Sequence, residues 1–122
     1  MLSEEKVNSS MQVSLHAGNA RTHCMKALEA IESSDFELFD SKIKEAQSEI
    51  VKAHRIQTNS ITDETNGEKG EYSVLFSHAQ DTLMTVYSEI NIAKRLKAIF
   101  YQQDKRVTAL ETRLDNLSTR EG

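Results

Sequence analysis

The fold is first apparent in residues 72–93, which read YSVLFSHAQDTLMTVYSEINIA. Residues three or four positions apart in this stretch form two stripes along a single helix, helix 3, which we expect to start near Tyr72. The first stripe is apolar and consists of Leu75, Ala79, Leu83, Val86, Ile90 and Ala93. The second is mixed and consists of Val74, His78, Asp81, Thr85, Ser88, Ile92 and, beyond the stretch, Ile99. A helix with two such stripes is typically packed on two sides, so the second stripe predicts self-association.

Two more helices are predicted before this stretch. Helix 1, from about residue 4 to about residue 32, follows the stripe Val13, Ala17, Ala20, Cys24, Ala27 and Ile31. Helix 2, ending near residue 62, follows the stripe Phe36, Phe39, Ile43, Ala46, Ile50, Ala53 and Gln57. Between them, Ser34 and Glu37 have the spacing of a capping box, in which each would satisfy a backbone N–H of the other. Residues 62–70 contain no apolar side chain and two glycines, which predicts the second turn.

The C-terminal residues continue the helical pattern. Their apolar positions follow a regular four-three spacing without a breaker: Leu96, Phe100, Gln103, Val107, Leu110, Leu114 and Leu117. This heptad spacing predicts that helix 3 extends as a coiled coil. The alternative is an amphipathic tail without a partner. We therefore divide the chain into a three-helix domain, residues 1–102, and a C-terminal helical extension, residues 103–122.

Composition supports an all-α protein. The 122 residues include no Pro and only four Gly, and these are the residues that usually break regular structure. The formal net charge of −4 is unfavourable for nucleic-acid binding, which requires clustered Lys and Arg. No signal peptide or membrane-spanning segment is visible. The single cysteine, Cys24, indicates a reducing compartment, and we expect a cytoplasmic protein.

The side chains that could carry chemistry are few. Cys24 is either a nucleophile or a buried small apolar residue, and its place in the helix 1 stripe favours the second. His16 and His23 are expected at the surface or partly buried, and His54 as a packed histidine hydrogen-bonded to a neighbour. No two metal-ligating histidines share the three- or four-residue spacing that helical metal sites use.

His78 has a denser polar setting than the other histidines. Asp81 and Thr82 follow it three and four positions later, on the same side of the helix, and Gln80 can donate hydrogen bonds nearby. A neutral imidazole is abundant near pH 7 and is a possible nucleophile. A histidine close to an aspartate on a helix can equally be structural, and the pattern alone leaves both readings open.

Four segments resemble the lactose/cellobiose-specific enzyme IIA components of the bacterial phosphoenolpyruvate-dependent sugar phosphotransferase system. They occur in the family's order and spacing, within about residues 5–101. They are Ala17-Gly18-Asn19-Ala20-Arg21, Asp35-Phe36, Ala53-His54-Arg55-Ile56-Gln57-Thr58 and His78-Ala79-Gln80-Asp81-Thr82-Leu83-Met84-Thr85. The resemblance implies an antiparallel up-down-up three-helix bundle that assembles as a homotrimer, here with the third helix extended at the C-terminus.

The resemblance also implies a function. The phosphocarrier protein HPr would transfer a phosphoryl group to His78, and a IIB component would take it onto a cysteine, for uptake of a lactose-, cellobiose- or chitobiose-type sugar through a IIC membrane component. The chain would thus act as a phosphotransferase component. Asp81 would meet its symmetry mates and share one Mg²⁺ per trimer, while Gln80 and Thr82 would support His78.

Two features depart from the family pattern. Thr82 stands where members often have a second histidine, so the assistance of a second ring is in doubt, and the tail after about residue 102 is longer than usual. Two alternative functions remain at this point. One is a histidine phosphotransfer domain, although Asp81 stands where such domains typically carry a lysine. The other is a helical adaptor without chemistry.

Overall fold

The computed structural model describes residues 4–65 and 74–121. These residues form three helices, α1 (Glu4–Glu32), α2 (Phe36–Thr65) and α3 (Val74–Glu121), with no strand among them. The all-α prediction is therefore confirmed. The predicted start of helix 3 near Tyr72 lies outside the described residues.

The side chains that connect the helices show their relative directions. Along α1, His16 contacts Glu49 and His23 contacts Glu45, so the numbering of α2 falls as that of α1 rises. In the same way α2 runs against α3, because the Phe36 ring packs against Tyr101 and the His54 ring against Tyr87.

The core is formed by one face of each helix, as the stripes predict. The buried apolar residues are Val13, Ala17, Ala20, Cys24, Ala27 and Ala30 on α1, Phe39, Ile43, Ala46, Ile50 and Ala53 on α2, and Ala79, Leu83, Val86, Ile90 and Ala93 on α3. Half of them are alanine, and such small side chains let helix backbones approach closely. Three predicted core positions differ slightly, since Ile31 and Phe36 are only partly buried and Leu75 is 36% exposed.

The turn between α1 and α2 differs from the predicted capping box. The backbone N–H of Leu38 donates to Asp35 Oδ1 over 3.1 Å, so Asp35 is the N-cap of α2. Ser34 instead ends α1, with a positive φ of 57°. Its N–H donates to the carbonyl of Ile31, and the N–H of Asp35 donates to that of Ala30, both over 2.9 Å. This is the Schellman pattern of helix C-termini, so the predicted Ser34–Glu37 box is wrong.

The second predicted turn begins later than expected. α2 remains helical through Thr65, although residues 62–65 have no apolar side chain. Polar residues can also be part of a helix, so the polarity of residues 62–65 alone did not locate the end of α2. The rest of the predicted turn, residues 66–70, lies outside the described part of the chain.

The third helix continues without interruption to Glu121, so residues 103–121 are helical. The last core residue of α3 is Ala93, the Tyr101 ring packs against Phe36, and residues 105–120 are all exposed. Among the described helices, none has an apolar stretch long enough to cross a membrane.

Candidate functional site

His78 lies near the beginning of α3 and is exposed. The following residue, Ala79, is fully buried against the other helices and fixes this turn of α3 on the core. Asp81 is also exposed, whereas Gln80 and Thr82 are partly buried. The four predicted site residues thus share two consecutive turns of one helix, with the imidazole accessible to another protein.

The hydroxyl groups of this site bind the helix backbone. Thr82 Oγ1 donates to the carbonyl oxygen of His78 over 2.9 Å, and Thr85 Oγ1 donates to that of Asp81 over 2.8 Å. Thr82 therefore stabilises the turn that carries His78. Within the described part of the chain, no side chain is hydrogen-bonded to the His78 ring, so its nitrogens are available to a partner.

One chain by itself offers little for a metal ion. Among the described residues, no group of three or more His, Cys, Asp or Glu side chains comes close enough to hold a metal. Asp81 contributes a single carboxylate, a ligand of the kind that hard cations such as Mg²⁺ prefer. A site built on Asp81 would therefore need carboxylates from further copies of the chain.

Three apolar residues, Leu75, Phe76 and Met84, lie within two turns of His78 along α3. Leu75 is 36% and Met84 is 51% exposed. Phe76 is partly buried. The Lys6 ammonium group lies over its ring, 5.6 Å from the centroid, and this contact connects the start of α1 to the start of α3. A partly apolar rim of this kind is suited to contact with a protein partner.

The other three histidines lie in different settings. His16 and His23 are partly buried, as predicted, and each places Nδ1 against a carboxylate of α2, at 2.5 Å from Glu49 Oε2 and 3.0 Å from Glu45 Oε2. His54 is exposed and packs edge-on against the Tyr87 ring, with 6.3 Å between centroids. His54 is thus packed against a neighbour, as predicted, but within the described residues its ring makes no hydrogen bond, and its neighbour Ala53 takes the core position.

One ion pair connects α1 to α3 beside the core. Arg21 binds Glu89 in a fork, with Nε 3.0 Å from Oε2 and Nη2 3.1 Å from Oε1, and this pair links α1 to α3. These hydrogen bonds, which Arg21 donates to the Glu89 carboxylate, raise the pKa of Arg21. Spacing within one helix could not reveal the pair, because its two members are 68 residues apart.

Cys24 is buried, which agrees with its predicted place in the core. Burial, and secondarily the negative charge of Glu89, raises the pKa of its thiol. A raised pKa keeps the thiol protonated and unreactive near neutral pH. The structure therefore favours the apolar reading of Cys24 over the nucleophilic one.

The fold and the exposed histidine together define a small helical protein with one accessible imidazole on its third helix. Residues 8–101 match the family described as the PTS system, Lactose/Cellobiose specific IIA subunit. The chain belongs to this family and is a component of a sugar phosphotransferase system.

Individual relatives agree with this assignment. The lichenan-specific phosphotransferase enzyme IIA component of Bacillus subtilis (strain 168) is 36% identical over 99 residues, covering 81% of this chain and 90% of the relative. The PTS system lactose-specific EIIA component of Lactococcus lactis subsp. lactis is 42% identical over 82 residues, covering 67% and 78%. The crystal structure of the PTS cellobiose-specific enzyme IIA from Bacillus anthracis superimposes with a TM-score of 0.79 at 31% identity, covering 86% of this chain and 95% of that one.

Proposed function

We propose that this chain carries a phosphoryl group on His78 between HPr and a IIB component, in the cytoplasm. The observation that supports the proposal most strongly is the exposed His78 ring, which has no hydrogen-bond partner within the described residues and lies inside the family-matched region. The relatives are named for lactose, lichenan and cellobiose, so we propose a sugar of the lactose/cellobiose type, selected by the IIC membrane component.

The transfer requires only one nucleophilic nitrogen in this chain. The unprotonated nitrogen of His78 attacks the phosphorus carried by HPr. A new N–P bond forms while the bond to the donor breaks, and its electron pair stays on the donor. In the second transfer the cysteine sulfur of IIB attacks the same phosphorus, an S–P bond forms, and the electron pair of the N–P bond returns to His78.

Phosphoryl transfer depends mainly on positioning and charge stabilisation, to which both partners contribute. Gln80, two residues after His78, supplies an amide that can donate to phosphoryl oxygens. Thr82 acts indirectly, through its hydrogen bond to the carbonyl of His78. The apolar rim formed by Leu75 and Met84 would exclude water from the docked complex.

The functional assembly that we propose is a homotrimer in which the second stripe of α3 faces its own copies, with His78 at the edge of the stripe and still accessible to HPr and IIB. That stripe is exposed in the single chain, and it includes Val74, which is 73% exposed, and Ile92, which is 57% exposed. Asp81 lies on this stripe, so three copies would supply the carboxylates that one chain lacks. A shared Mg²⁺ would neutralise their charge.

The test of the carrier function is phosphorylation with phosphoenolpyruvate, enzyme I and HPr, followed by intact mass measurement. The wild type should gain one acid-labile phosphoryl group per chain, and His78→Ala should gain none while retaining its helicity. His54→Ala is the matched control, because His54 is also exposed on a helix, and it should accept phosphate normally. If His78→Ala accepted a phosphoryl group and His54→Ala did not, the assignment to His78 would be wrong. If the mass of the wild type did not change, the carrier function would be refuted.

A further inference from the structure

The α3 extension carries an exposed apolar seam for which the described part of the chain, residues 4–65 and 74–121, offers no partner. We name it the tail seam, and it consists of Leu96, Phe100, Gln103, Val107, Leu110, Leu114 and Leu117. From Phe100 onward its apolar members are between 49% and 65% exposed. The family match ends at residue 101, so the family assignment does not account for most of this seam.

The charges beside the tail seam are sorted by sign. In the heptad, Phe100, Val107 and Leu114 occupy a positions and Gln103, Leu110 and Leu117 occupy d positions. Beyond residue 103, one flank of the seam is basic and the other is acidic or polar. The g positions on the first flank are Arg106, Arg113 and Arg120, and the e positions on the second are Asp104, Glu111 and Ser118.

These flanking charges form no stabilising charge pairs within their own helix. Oppositely charged residues stabilise a single helix when they are three or four positions apart. None of the charged flank residues has an opposite charge at that spacing: Arg106, Arg113, Arg120, Asp104 and Glu111. On α2, by contrast, Lys42 pairs with Glu45 and Lys52 with Glu49 at this spacing. Within the described part of the chain, neither Arg106 nor Glu111 takes part in an ion pair. The sorted charges are therefore available to a second helix.

The sorting selects both the partner and its direction. In a parallel coiled coil each g residue meets the e residue five positions later on the neighbouring helix, so Arg106 of one copy would meet Glu111 of the next. In an antiparallel arrangement like flanks meet, which would place Arg against Arg and carboxylate against carboxylate. Like charges in contact are unfavourable. The complement of this surface is therefore another copy of the same surface, running in the same direction.

Gln103 fixes the register of such a pairing. It is the one polar residue between Phe100 and Leu117 on the seam, and a polar side chain in an apolar interface needs a hydrogen-bond partner. In a parallel arrangement without offset, Gln103 meets its own copies. A shift by one heptad would instead place Gln103 opposite Leu96 or Leu110, so the shifted registers are penalised.

The tail seam also continues the second stripe of α3. At about 100° per residue, the mean direction of the seam lies about 30° from that of the second stripe and about 100° from that of the core stripe. Apart from the partly buried Leu96, the members of the second stripe and of the tail seam are exposed. A contact between copies in the extension can therefore continue the one proposed for the second stripe.

We propose that residues 96–117 form a parallel, in-register coiled coil between copies of this chain. The direction and register follow from the sorted charges and Gln103, while the number of strands, three, rests on the homotrimer of the proposed function. The extension would project about 30 Å beyond the three-helix domain.

Cross-linking of the full-length chain tests the direction and register. With Cys24→Ala as background, Leu117→Cys places one thiol at a seam position, and Thr119→Cys, on the opposite side of the helix, is the matched control. A short bismaleimide should link most of the chains bearing Leu117→Cys to one another and few bearing Thr119→Cys. Equal yields at the two positions, or no linkage at 117, would overturn the proposal.

Charge exchange tests the pairing of Arg106 with Glu111. Arg106→Glu should lower the melting temperature of the assembly by about 2–4 °C, and adding Glu111→Arg should restore it, because opposite charges meet again. The comparison is between Arg106→Glu and the double exchange, because Glu111→Arg by itself also removes the repulsion from Asp115, four residues later. Lys105→Glu, with the same charge change on the outer face, loses the contact of Lys105 with the Tyr101 ring, and Glu111→Arg should restore its melting temperature less than that of Arg106→Glu. An Arg106→Glu variant that melts at a higher temperature than the wild type would indicate antiparallel pairing and overturn the proposal.

Two further measurements separate this proposal from the proposed function. All tail variants should accept a phosphoryl group as the wild type does, so failure of cross-linking with normal acceptance would refute the coiled coil alone. Sedimentation should give a mass of three chains. Parallel cross-linking in an assembly of two chains would refute the three-stranded form and the proposed trimer together, and leave the carrier function of His78 unaffected.

Discussion

At the scale of single residues, the turn between α1 and α2 shows how two adjacent polar residues acquire different roles. Asp35 caps α2 through its side chain, whereas Ser34 closes α1 through a left-handed backbone. A residue other than glycine in that conformation costs roughly 1 kcal/mol. Ser34 therefore contributes strain to this turn, and Asp35 contributes a hydrogen bond.

We predict opposite effects of substitutions at these two positions. Asp35→Ala should lower the free energy of unfolding by about 1 kcal/mol, because the N–H of Leu38 loses its acceptor. Ser34→Gly should leave stability unchanged or raise it by up to about 1 kcal/mol, because glycine adopts a positive φ without strain. Urea denaturation of both variants measures this. A clear loss of stability in Ser34→Gly with none in Asp35→Ala would restore the capping box predicted from sequence.

A second prediction concerns the His16–Glu49 contact. The hydrogen bond from His16 lowers the pKa of Glu49 below its ordinary value of 4.5. A carboxyl group with a lowered folded-state pKa contributes stability above its unfolded pKa and loses it as the pH falls through the folded pKa. Glu49→Gln should therefore reduce stability by about 1 kcal/mol near neutral pH. The difference from wild type should shrink as the pH falls below 4.5 and vanish only below the lowered pKa of the folded state.

Thermal unfolding of wild type and Glu49→Gln between pH 3 and pH 7 measures this dependence. Glu29→Gln is the control, because Glu29 is exposed, and its melting temperature should follow the wild type at every pH. A difference between Glu49→Gln and wild type that persists unchanged at pH 3 would contradict the role given to the Glu49 charge.

At the scale of the helix, the periodicity of the sequence predicts the structural features that depend on a single helix. The apolar stripes locate the buried faces because each residue's direction follows from its position in its own helix. The pairs Arg21–Glu89 and His16–Glu49 depend on which helices become neighbours, and no spacing within one helix specifies that. The choice of Asp35 over Ser34 as N-cap depends on a single backbone angle, and both residues are good caps.

The same distinction applies to the candidate site. His78, Asp81, Gln80 and Thr82 could be grouped from sequence because all four belong to two turns of one helix. The hydrogen bond of Thr82 to the carbonyl of His78 was not predicted, since a threonine hydroxyl can point either to its own backbone or to a neighbouring ring.

The alanine-rich face of α1 supports a prediction at this scale. Ala20 is fully buried, so Ala20→Leu should force the helices apart and cost about 1–3 kcal/mol. Gly18 lies two residues earlier on the exposed side of α1, and a Cβ added there would meet no atom within 4 Å. Gly18→Ala should therefore stabilise the protein by up to about 1 kcal/mol through helix propensity alone.

Urea denaturation of the two variants separates packing from propensity. Close packing of α1 on its neighbours would be contradicted if Ala20→Leu unfolded at the same urea concentration as the wild type. Loss of stability in Gly18→Ala would indicate instead that another chain packs closely over this position.

At the scale of the whole molecule, α3 belongs to two environments. One face completes the core with Leu83, Val86 and Ile90, and a second face is exposed along nearly the whole helix. In the proposed trimer the centre of this second face is covered by its own copies, while His78, at the edge of the face, stays accessible. The carboxylate of Asp81 is then the only formal charge on the covered part. The assembly must therefore accommodate three like charges in one place.

Three carboxylates brought together repel one another and lose contact with water, so they either bind protons or recruit a cation. Oxygen ligands favour a hard ion, and Mg²⁺ keeps water molecules in its remaining coordination positions. The wild type should therefore lose thermal stability in excess chelator and regain it when Mg²⁺ is added back. Asp81→Asn removes the repulsion together with the ligand charge, so this variant should still form trimers and its melting temperature should not respond to chelator.

Asp40→Asn is a suitable control, because Asp40 is exposed on α2 and its variant should respond to chelator as the wild type does. A wild-type melting temperature that is the same with and without chelator would show that the three carboxylates either lie apart or share protons, and the proposed metal site would then be wrong even if the trimer is right.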